Sequence, residues 1–524
     1  MAVNKRVIPG LYRDSVTLMK SASRVEAMPG VEKAGAMMAT VANLDLARDA
    51  GMLGPSETVE AGPNDLLLLV ESADATIAEA AFGEAERILS EIPVPTADGE
   101  VAGIAPRSIR MGLDAKPDAS LVLISTPGEY AASEAFKAVN LGLDVMIFSD
   151  NVTTADEIEL KQLAHERGVL VMGPDCGTAI VGGIPLGFAN VVRRGDIGVI
   201  GASGTGTQQV TALIDRWGAG ITHAIGTGSH DLSAEVGAIT MLDAMAALAS
   251  DPATKVLLLV SKPPAPKVAE RVLAAAAAAS TPAVVCFLGA DPDSVARPGI
   301  KAAETLEDAA ALAVELSTGA EPNRAEGAGD IEAAAAQATA ALAPSQRYIR
   351  GLFSGGTFGY EASLLLSRRL GRVNSNTPAR PEDTIADVWK SEGHTIIDLG
   401  DDVFTRGRPH PMIDFRLRVE RIAEEAADPE VAVILLDVVL GYGAHEDPAG
   451  QLIPAITDAR ASAAAQGRAI AFVASVCGTE GDPQGLVGQE RVLREEGVLL
   501  GTSNAHAVRI AADIVQARQG GEGR

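Results

Sequence analysis

The sequence predicts an α/β protein built on doubly wound parallel sheets, with a small α+β unit at its start. Three features predict it. Short aliphatic runs recur along the 524 residues, each apolar throughout rather than alternating, which is how a parallel strand reads when helices cover both faces. Glycine-rich turns close many of these runs. Alanine-rich stretches that suit helices, such as Glu129–Leu141 and Asp308–Leu316, lie between them. Strands alternating with helices at this spacing imply right-handed βαβ units.

The first unit, residues 1–92, reads as a strand near Arg6–Leu11, a helix Ser15–Glu26, a strand near Lys33–Ala39, a strand Asp65–Glu71 and a helix Ile77–Glu91. This order suggests a small ferredoxin-like sandwich. Pro93–Pro106, with three prolines and two glycines, separates it from the rest of the chain. Besides Leu66–Val70, the aliphatic runs are Leu121–Ile124, Val145–Phe148, Val169–Met172, Ile197–Ile200, Val256–Val260, Ala283–Leu288 and Val431–Leu436. They divide into a Rossmann-type domain over 107–193, a second α/β domain over 194–317 and a third over 344–524. Between the last two, 318–343 is rich in Ala, Gly and Glu and reads as a linker that turns helical after Asp330. Ile197–Val210 (IGVIGASGTGTQQV) and Ile349–Ala362 (IRGLFSGGTFGYEA) echo each other as strand, Gly/Ser/Thr turn and helix start.

Composition removes several function classes. With 43 basic against 69 acidic residues the formal charge is −26, so neither nucleic acid nor an anionic membrane surface is an expected partner. No apolar run approaches the ~20 residues of a membrane helix. The start, MAVNKRVIPGLYRDS, has no apolar core of a signal peptide. Three cysteines in a chain this long make no disulfide framework. A soluble, cytoplasmic protein is expected.

The strongest local motif is Gly201-Ala202-Ser203-Gly204-Thr205-Gly206-Thr207. A strand feeding a glycine turn into a helix leaves amide N–H groups unpaired, and these favour phosphate or carboxylate together with the helix dipole. Ser203 and Thr205 add hydroxyl donors. The spacing is neither a P-loop nor the GxGxxG fingerprint; a capped βα turn is the competing reading. Ser354-Gly355-Gly356-Thr357 repeats the device, with turn and anion site equally open.

Met172 to Thr178, including Pro174, Asp175 and Cys176, ends another strand, where open α/β sheets place ligands. Cys176 is a nucleophile or, more commonly for a lone cysteine, a packing residue. Asp398 to Asp414 is unusually polar. Arg406 and Arg408 there suit a carboxylate, and His410 suits an acid or base, against the alternative of a solvated surface loop. Asp437 ends an aliphatic run ahead of Gly441-Tyr442-Gly443, and Cys477–Gln484 forms another rim loop. The spacing of Asp, His and Glu matches no specific metal site.

The stretches GEYAASEAFKAVNLGLDVMIFSDNV, MGPDCGTAI, IGVIGASGTGTQQ, DLGDDVFTRGRPHPMID and LLDVVLGYGAHEDPA together resemble the FdrA family, relatives of the succinyl-CoA synthetase α subunit. The likeness runs from about residue 5 to the C-terminus. It implies a CoA-binding-type Rossmann domain followed by two flavodoxin-like ligase domains, the last similar to the C-terminal domain of the synthetase β subunit. It also implies that Gly201–Thr207 and the turn at Leu440–Ala444 begin two helices facing one phosphoryl group. The pattern departs from a working synthetase at set places. Phe287–Lys301, which matches the phosphohistidine loop, has no histidine. The Glu-Ile-Gly-Gly stretch that steadies that histidine is replaced by Ser261-Lys262-Pro263-Pro264. No ATP-grasp domain and no CoA-type glycine loop are visible.

The family is similar to a subunit of oxamate carbamoyltransferase in allantoin degradation. The resemblance therefore implies a hetero-oligomer in which oxalurate and phosphate exchange with oxamate and carbamoyl phosphate. Phosphate or carbamoyl phosphate is then a substrate, Arg406 or Arg408 holds a small carboxylate, and CoA stays open as a cofactor. An acyl-CoA synthetase and a non-catalytic scaffold subunit are the alternatives.

Overall fold

A computed structural model describes residues 2–13, 15–54, 57–91, 106–325, 331–405 and 408–520. The chain forms two units, Met1–Ala119 with Asp402–Asp414, and Ser120–Asp401 with Phe415–Arg524.

The first unit runs β1 (Ala2–Ile8), α1 (Ser15–Glu26), β2 (Val31–Met38), α2 (Val41–Asp49), β3 (Leu66–Ser72), α3 (Ala75–Glu91) and α4 (Ile109–Ala115). Its sheet has the order β1-β3-β2 with both pairings antiparallel. The run Leu66–Val70, which reads as a parallel strand, is therefore the centre of an antiparallel sheet. The physical reason lies in its coverage. Leu66, Leu68 and Val70 pack with Leu18, Val25, Phe82 and Leu89 on one face. Leu67 and Leu69 pack with Ala47, Met52 and Leu53 on the other. Burial on both faces erases the alternation that marks most antiparallel strands. Helix α2, which the sequence does not announce by periodicity, starts at Thr40, whose hydroxyl accepts from the Asn43 amide at 3.3 Å.

The second unit holds three sheets. The smallest is β4 (Leu121–Ile124), β5 (Asp144–Ile147) and β6 (Val171–Met172), parallel and crossed by α5 (Gly128–Asn140) and α6 (Thr154–Arg167). A seven-stranded sheet combines β7 (Thr178–Val181), β8 (Ile184–Gly187), β9 (Arg194–Gly201), β10 (Ile221–Gly226), β11 (Val256–Ser261), β12 (Ala283–Phe287) and β13 (Ile300–Ala302). Its order is β13-β12-β11-β9-β10-β7-β8. Strands β9 to β13 are parallel, and the hairpin β7–β8 adds an antiparallel edge beside β10. This sheet thus reaches back across residue 193. Its helices are α7 (Gly204–Arg216), α8 (Ile239–Ser250), α9 (Pro266–Ala278), the short α10 (Pro292–Val295) and α11 (Leu306–Thr318).

Helix α12 (Ile331–Ala341) comes next, where the sequence turns helical after Asp330. The third sheet is parallel throughout: β14 (Tyr348–Phe353), β15 (Asn374–Ser375), β16 (Thr395–Asp398), β17 (Val431–Val439), β18 (Ala471–Cys477) and β19 (Leu499–Gly501). Its order is β15-β16-β14-β17-β18-β19. The helices here are α13 (Gly356–Leu370), α14 (Asp402–Thr405, in the first unit), α15 (Arg416–Ala427), α16 (Pro448–Ala465), α17 (Leu486–Glu495) and α18 (Asn504–Gly520).

In both large sheets the chain leaves a central strand, β9 or β14, and adds neighbours on either side of it. The loop after such a strand lies at a topological switch point, where the crevice of an open α/β sheet falls. The two echoing glycine motifs occupy these two loops. No helix among the described residues is long and apolar enough to cross a membrane.

Candidate functional site

At the end of β9 the chain turns through Ser203, the N-cap of α7. Its Oγ accepts from the Gly206 amide at 3.0 Å, and Thr207 Oγ1 donates to the Ser203 carbonyl at 2.7 Å. The tightness of this turn requires its glycines. A Cβ on Gly201 would stand 2.0 Å from Thr207 Oγ1, and one on Gly206 would stand 2.5 Å from Ser203 Oγ. The amides of Gly204 and Thr205 have no hydrogen-bond partner among the described residues. At the end of β14, Gly355 is the N-cap of α13 and offers no side-chain cap. The amides of Gly356, Thr357 and Phe358 likewise have no partner among the described residues.

These two helix starts meet. Ser203 Oγ and Thr357 Oγ1 are 2.6 Å apart, and a Cβ on Gly355 would lie 2.8 Å from Thr205 Cγ2. Two amino ends, each carrying roughly half a positive charge, repel unless an anion lies between or beside them. The ends of neighbouring strands complete the surroundings. Lys262 comes directly after β11 and sits with its ammonium 5.9 Å from the Tyr360 ring centroid. That ammonium forms no hydrogen bond or ion pair among the described residues. Gly289 lies just beyond β12, where a Cβ would stand 3.4 Å from the Tyr360 hydroxyl. Asp398 ends β16, and its Oδ2 would lie 2.3 Å from a Cβ on Gly356.

The two glycine loops differ in one respect that the sequence hides. The Ser354 and Gly355 amides donate to Asp437 Oδ1 and Oδ2, each at 2.9 Å, and Ser354 Oγ donates to Oδ2 at 2.9 Å. Asp437 is fully buried and paired with buried Arg418, which also donates to the Leu352 and Asp437 carbonyls at 2.8 and 2.6 Å. Ser354 and Gly355 therefore already hold a carboxylate, and Asp437 lies beneath the loop rather than on a rim. Gly356 at the next position keeps its amide open.

The loop at Gly441, Tyr442 and Gly443 does not face α7. The Gly441 amide donates to Gln484 Oε1 at 3.0 Å and the Tyr442 amide to the Ala189 carbonyl at 2.9 Å. A Cβ on Gly441 would stand 2.5 Å from that carbonyl, and one on Gly443 2.8 Å from Phe188 Cδ1. The left-handed turn at these glycines seats the loop on residues 187–190. The helix facing α7 is α13, one strand away from the one the resemblance implied.

Pro174 is buried and Asp175 exposed, with φ +56°. Cys176 is buried; its thiol donates to the Gly226 carbonyl at 3.4 Å, and burial pushes its pKa up to about 12. It packs in the core, and its burial disfavours the thiolate a nucleophile needs. Arg406 lies outside the described residues. Arg408 is exposed and His410 half-buried; His410 Nδ1 accepts from the Met412 amide at 3.3 Å. Both belong to the first unit. Lys262 and Asp398 stand in stretches that the sequence marks, but neither was given a role in a site there. The available signal was their position at the C-terminal ends of aliphatic strands.

Known proteins share parts of this architecture. A CoA-ligase family model matches residues 352–514 and a CoA-binding-domain model matches 192–289. The latter falls on the sheet centred on β9, not on 107–193. Residues 1–103 match a model described as AllF, heavy metal-associated domain. That stretch contains neither cysteine nor histidine, so its soft donors are methionine thioethers alone. YahF of Escherichia coli, described as uncharacterised, is 42% identical over 521 residues, covering 98% of this chain and 99% of the relative. The subunit SauD of an ADP-forming sulfoacetate–CoA ligase from Bilophila wadsworthia is 26% identical over 189 residues, 35% of this chain and 63% of its own. The α-2 subunit of an ADP-forming succinate–CoA ligase from Trichomonas vaginalis is 28% identical over 149 residues, 28% of this chain and 47% of its own.

Proposed function

Because the chain belongs to the FdrA family, whose fold is that of the CoA ligases, we propose that it is a subunit of an enzyme that makes or consumes an acyl phosphate at the apposed amino ends of α7 and α13. The observation that carries this reading is the meeting of Ser203 with Thr357 at 2.6 Å, with open amides on both helices and an unpaired lysine beside them. The seven histidines of the chain are all outside Phe287–Lys301, which supports a phosphoryl group bound as substrate rather than carried on a histidine of that loop. Inorganic phosphate would rest on the amides of Gly204, Thr205, Gly356 and Thr357, with Lys262 as countercharge. Rate enhancement then comes from positioning and from fixed donors aimed at the developing charge.

In the form we favour, a phosphate oxygen attacks the carbamoyl carbon of oxalurate. The C–N bond breaks, the nitrogen leaves with a proton as the amide of oxamate, and carbamoyl phosphate departs. Other subunits supply the pocket for the carboxylate. The second reading is an acid–thiol ligase with CoA as acceptor, supported by the two CoA-related family models and by the ligase relatives. Against its phosphohistidine form, Phe287–Lys301 holds no histidine. The test uses the native complex copurified on this chain. Phosphate-dependent formation of carbamoyl phosphate from oxalurate, independent of CoA, supports the first reading. Activity that requires CoA and a nucleoside triphosphate replaces it with the second.

A further inference from the structure

Two charged side chains, Lys262 and Asp398, stand at the apposed helix ends. Lys262 makes no direct ion pair or hydrogen bond among the described residues, although its charge acts on Asp398. Asp398 is more than nine-tenths buried, at 7% exposure; its Oδ1 accepts from the Gly400 amide at 2.9 Å, while Oδ2 accepts no hydrogen bond among the described residues and points at the first residue of α13. Its backbone is locked by Asn376, which donates to the Asp398 carbonyl at 2.9 Å and accepts from its amide at 2.9 Å. The carboxylate is thus held at an anion-favouring helix end without being consumed by it.

Taking the proposed oxyanion site as its premise, we propose that Lys262 and Asp398 make anion binding proton-linked: the dianion takes Lys262 as its countercharge, and Asp398 takes up a proton as it enters. A dianion beside an ionised carboxylate is repelled, and the protonated carboxyl is a donor instead. The groups facing Asp398 set how readily this happens. Burial and the neighbouring carboxylates of Asp401 and Asp437 raise its pKa, Lys262 and the Gly400 amide lower it, and the result is about 6. The Asp437 charge is itself matched by Arg418. Asp398 is therefore ionised at neutral pH in the empty site and needs only a modest push to take a proton.

The test is calorimetric titration of the full chain with sulfate, which stays a dianion from pH 5.5 to 7.5, in buffers of different ionisation enthalpy. The wild type is expected to take up about half a proton or more per sulfate near pH 6.5, and to bind on the order of tenfold more tightly at pH 5.5 than at 7.5. Asp398→Asn preserves the shape and the Gly400 contact; it should bind with no proton uptake and less than about a twofold change across that range. Lys262→Ala should weaken binding by about tenfold or more, with Lys262→Arg restoring most of it. Proton uptake that persists in Asp398→Asn, or unchanged affinity in Lys262→Ala, overturns the inference and leaves the oxyanion site standing. Absence of sulfate binding to the wild type at every pH removes the site itself and the inference with it.

Discussion

Asp437 and Arg418 show what a single buried pair does to an otherwise familiar loop. The carboxylate neutralises the guanidinium and at the same time fills the donors of Ser354 and Gly355. Removing one partner leaves the other charged and dry, so Asp437→Ala should lower unfolding stability by about 3–5 kcal/mol in a urea titration. Glu361 on α13 offers a second residue-scale test. It is buried, accepts from the Leu306 amide and from Asn504 Nδ2 at 2.8 Å each, and burial raises its pKa to about 7. Its folded pKa lies above the unfolded one. The stability tied to its proton is therefore complete below the ordinary carboxylate range and is lost as pH rises through 7. Glu361→Gln should exceed the wild type in thermal midpoint at pH 8, by the equivalent of about 2–3 kcal/mol, and match it near pH 4. Asp437 was legible in sequence as a strand-end residue but not as the acceptor beneath a loop, and Glu361 was not legible at all, because a lone acid in an apolar stretch reveals nothing about the amides that will close on it.

At the scale of elements, the strands were the most legible part of the chain. Each of the eight aliphatic runs contains a strand, since continuous apolar sequence of four to six residues has few other ways to be buried. What sequence could not supply was pairing. Leu66–Val70 has the composition of a parallel strand and sits in an antiparallel sheet because α2, signalled only by Thr40, covers its second face. The echo of Ile197–Val210 and Ile349–Ala362 did place two glycine turns at two helix starts. Their contact is a tertiary fact, as is the retreat of Gly441–Gly443 onto residues 187–190. Ser203→Ala removes both the cap on α7 and the bond to Thr357 and should cost about 1–2 kcal/mol of stability. Thr357→Val removes only the second and should cost about 1 kcal/mol or less. If the two losses come out equal, the cap has no energetic weight and Ser203 serves α13 alone.

For the whole molecule, the sequence conveyed the class, a small α+β unit ahead of parallel α/β sheets, because period and composition act over long stretches. The grouping of Asp402–Asp414 with the N-terminal unit was not readable, as nothing local marks a segment that joins residues hundreds of positions earlier. Arg408 and His410 lie in that segment. The first unit also bears on metal use. Residues 1–103 have no thiol and no imidazole, and the described residues hold no group of three or more His, Cys, Asp or Glu arranged for a metal ion. Neither copper nor zinc should raise the thermal midpoint of the full chain, and chelator treatment should leave it unchanged; a shift of several degrees with either metal would show a site elsewhere.

The two helix ends that meet at Ser203 and Thr357 are not equivalent hosts for the anion we propose. On one side the cradle is bare. On the other, the protein has installed its own imitation of a guest, the side chain of Asp437, complete with a private cation behind it. In the site we propose, a change at Arg418 would alter the charge behind the α13 end through Asp437 without touching the anion itself.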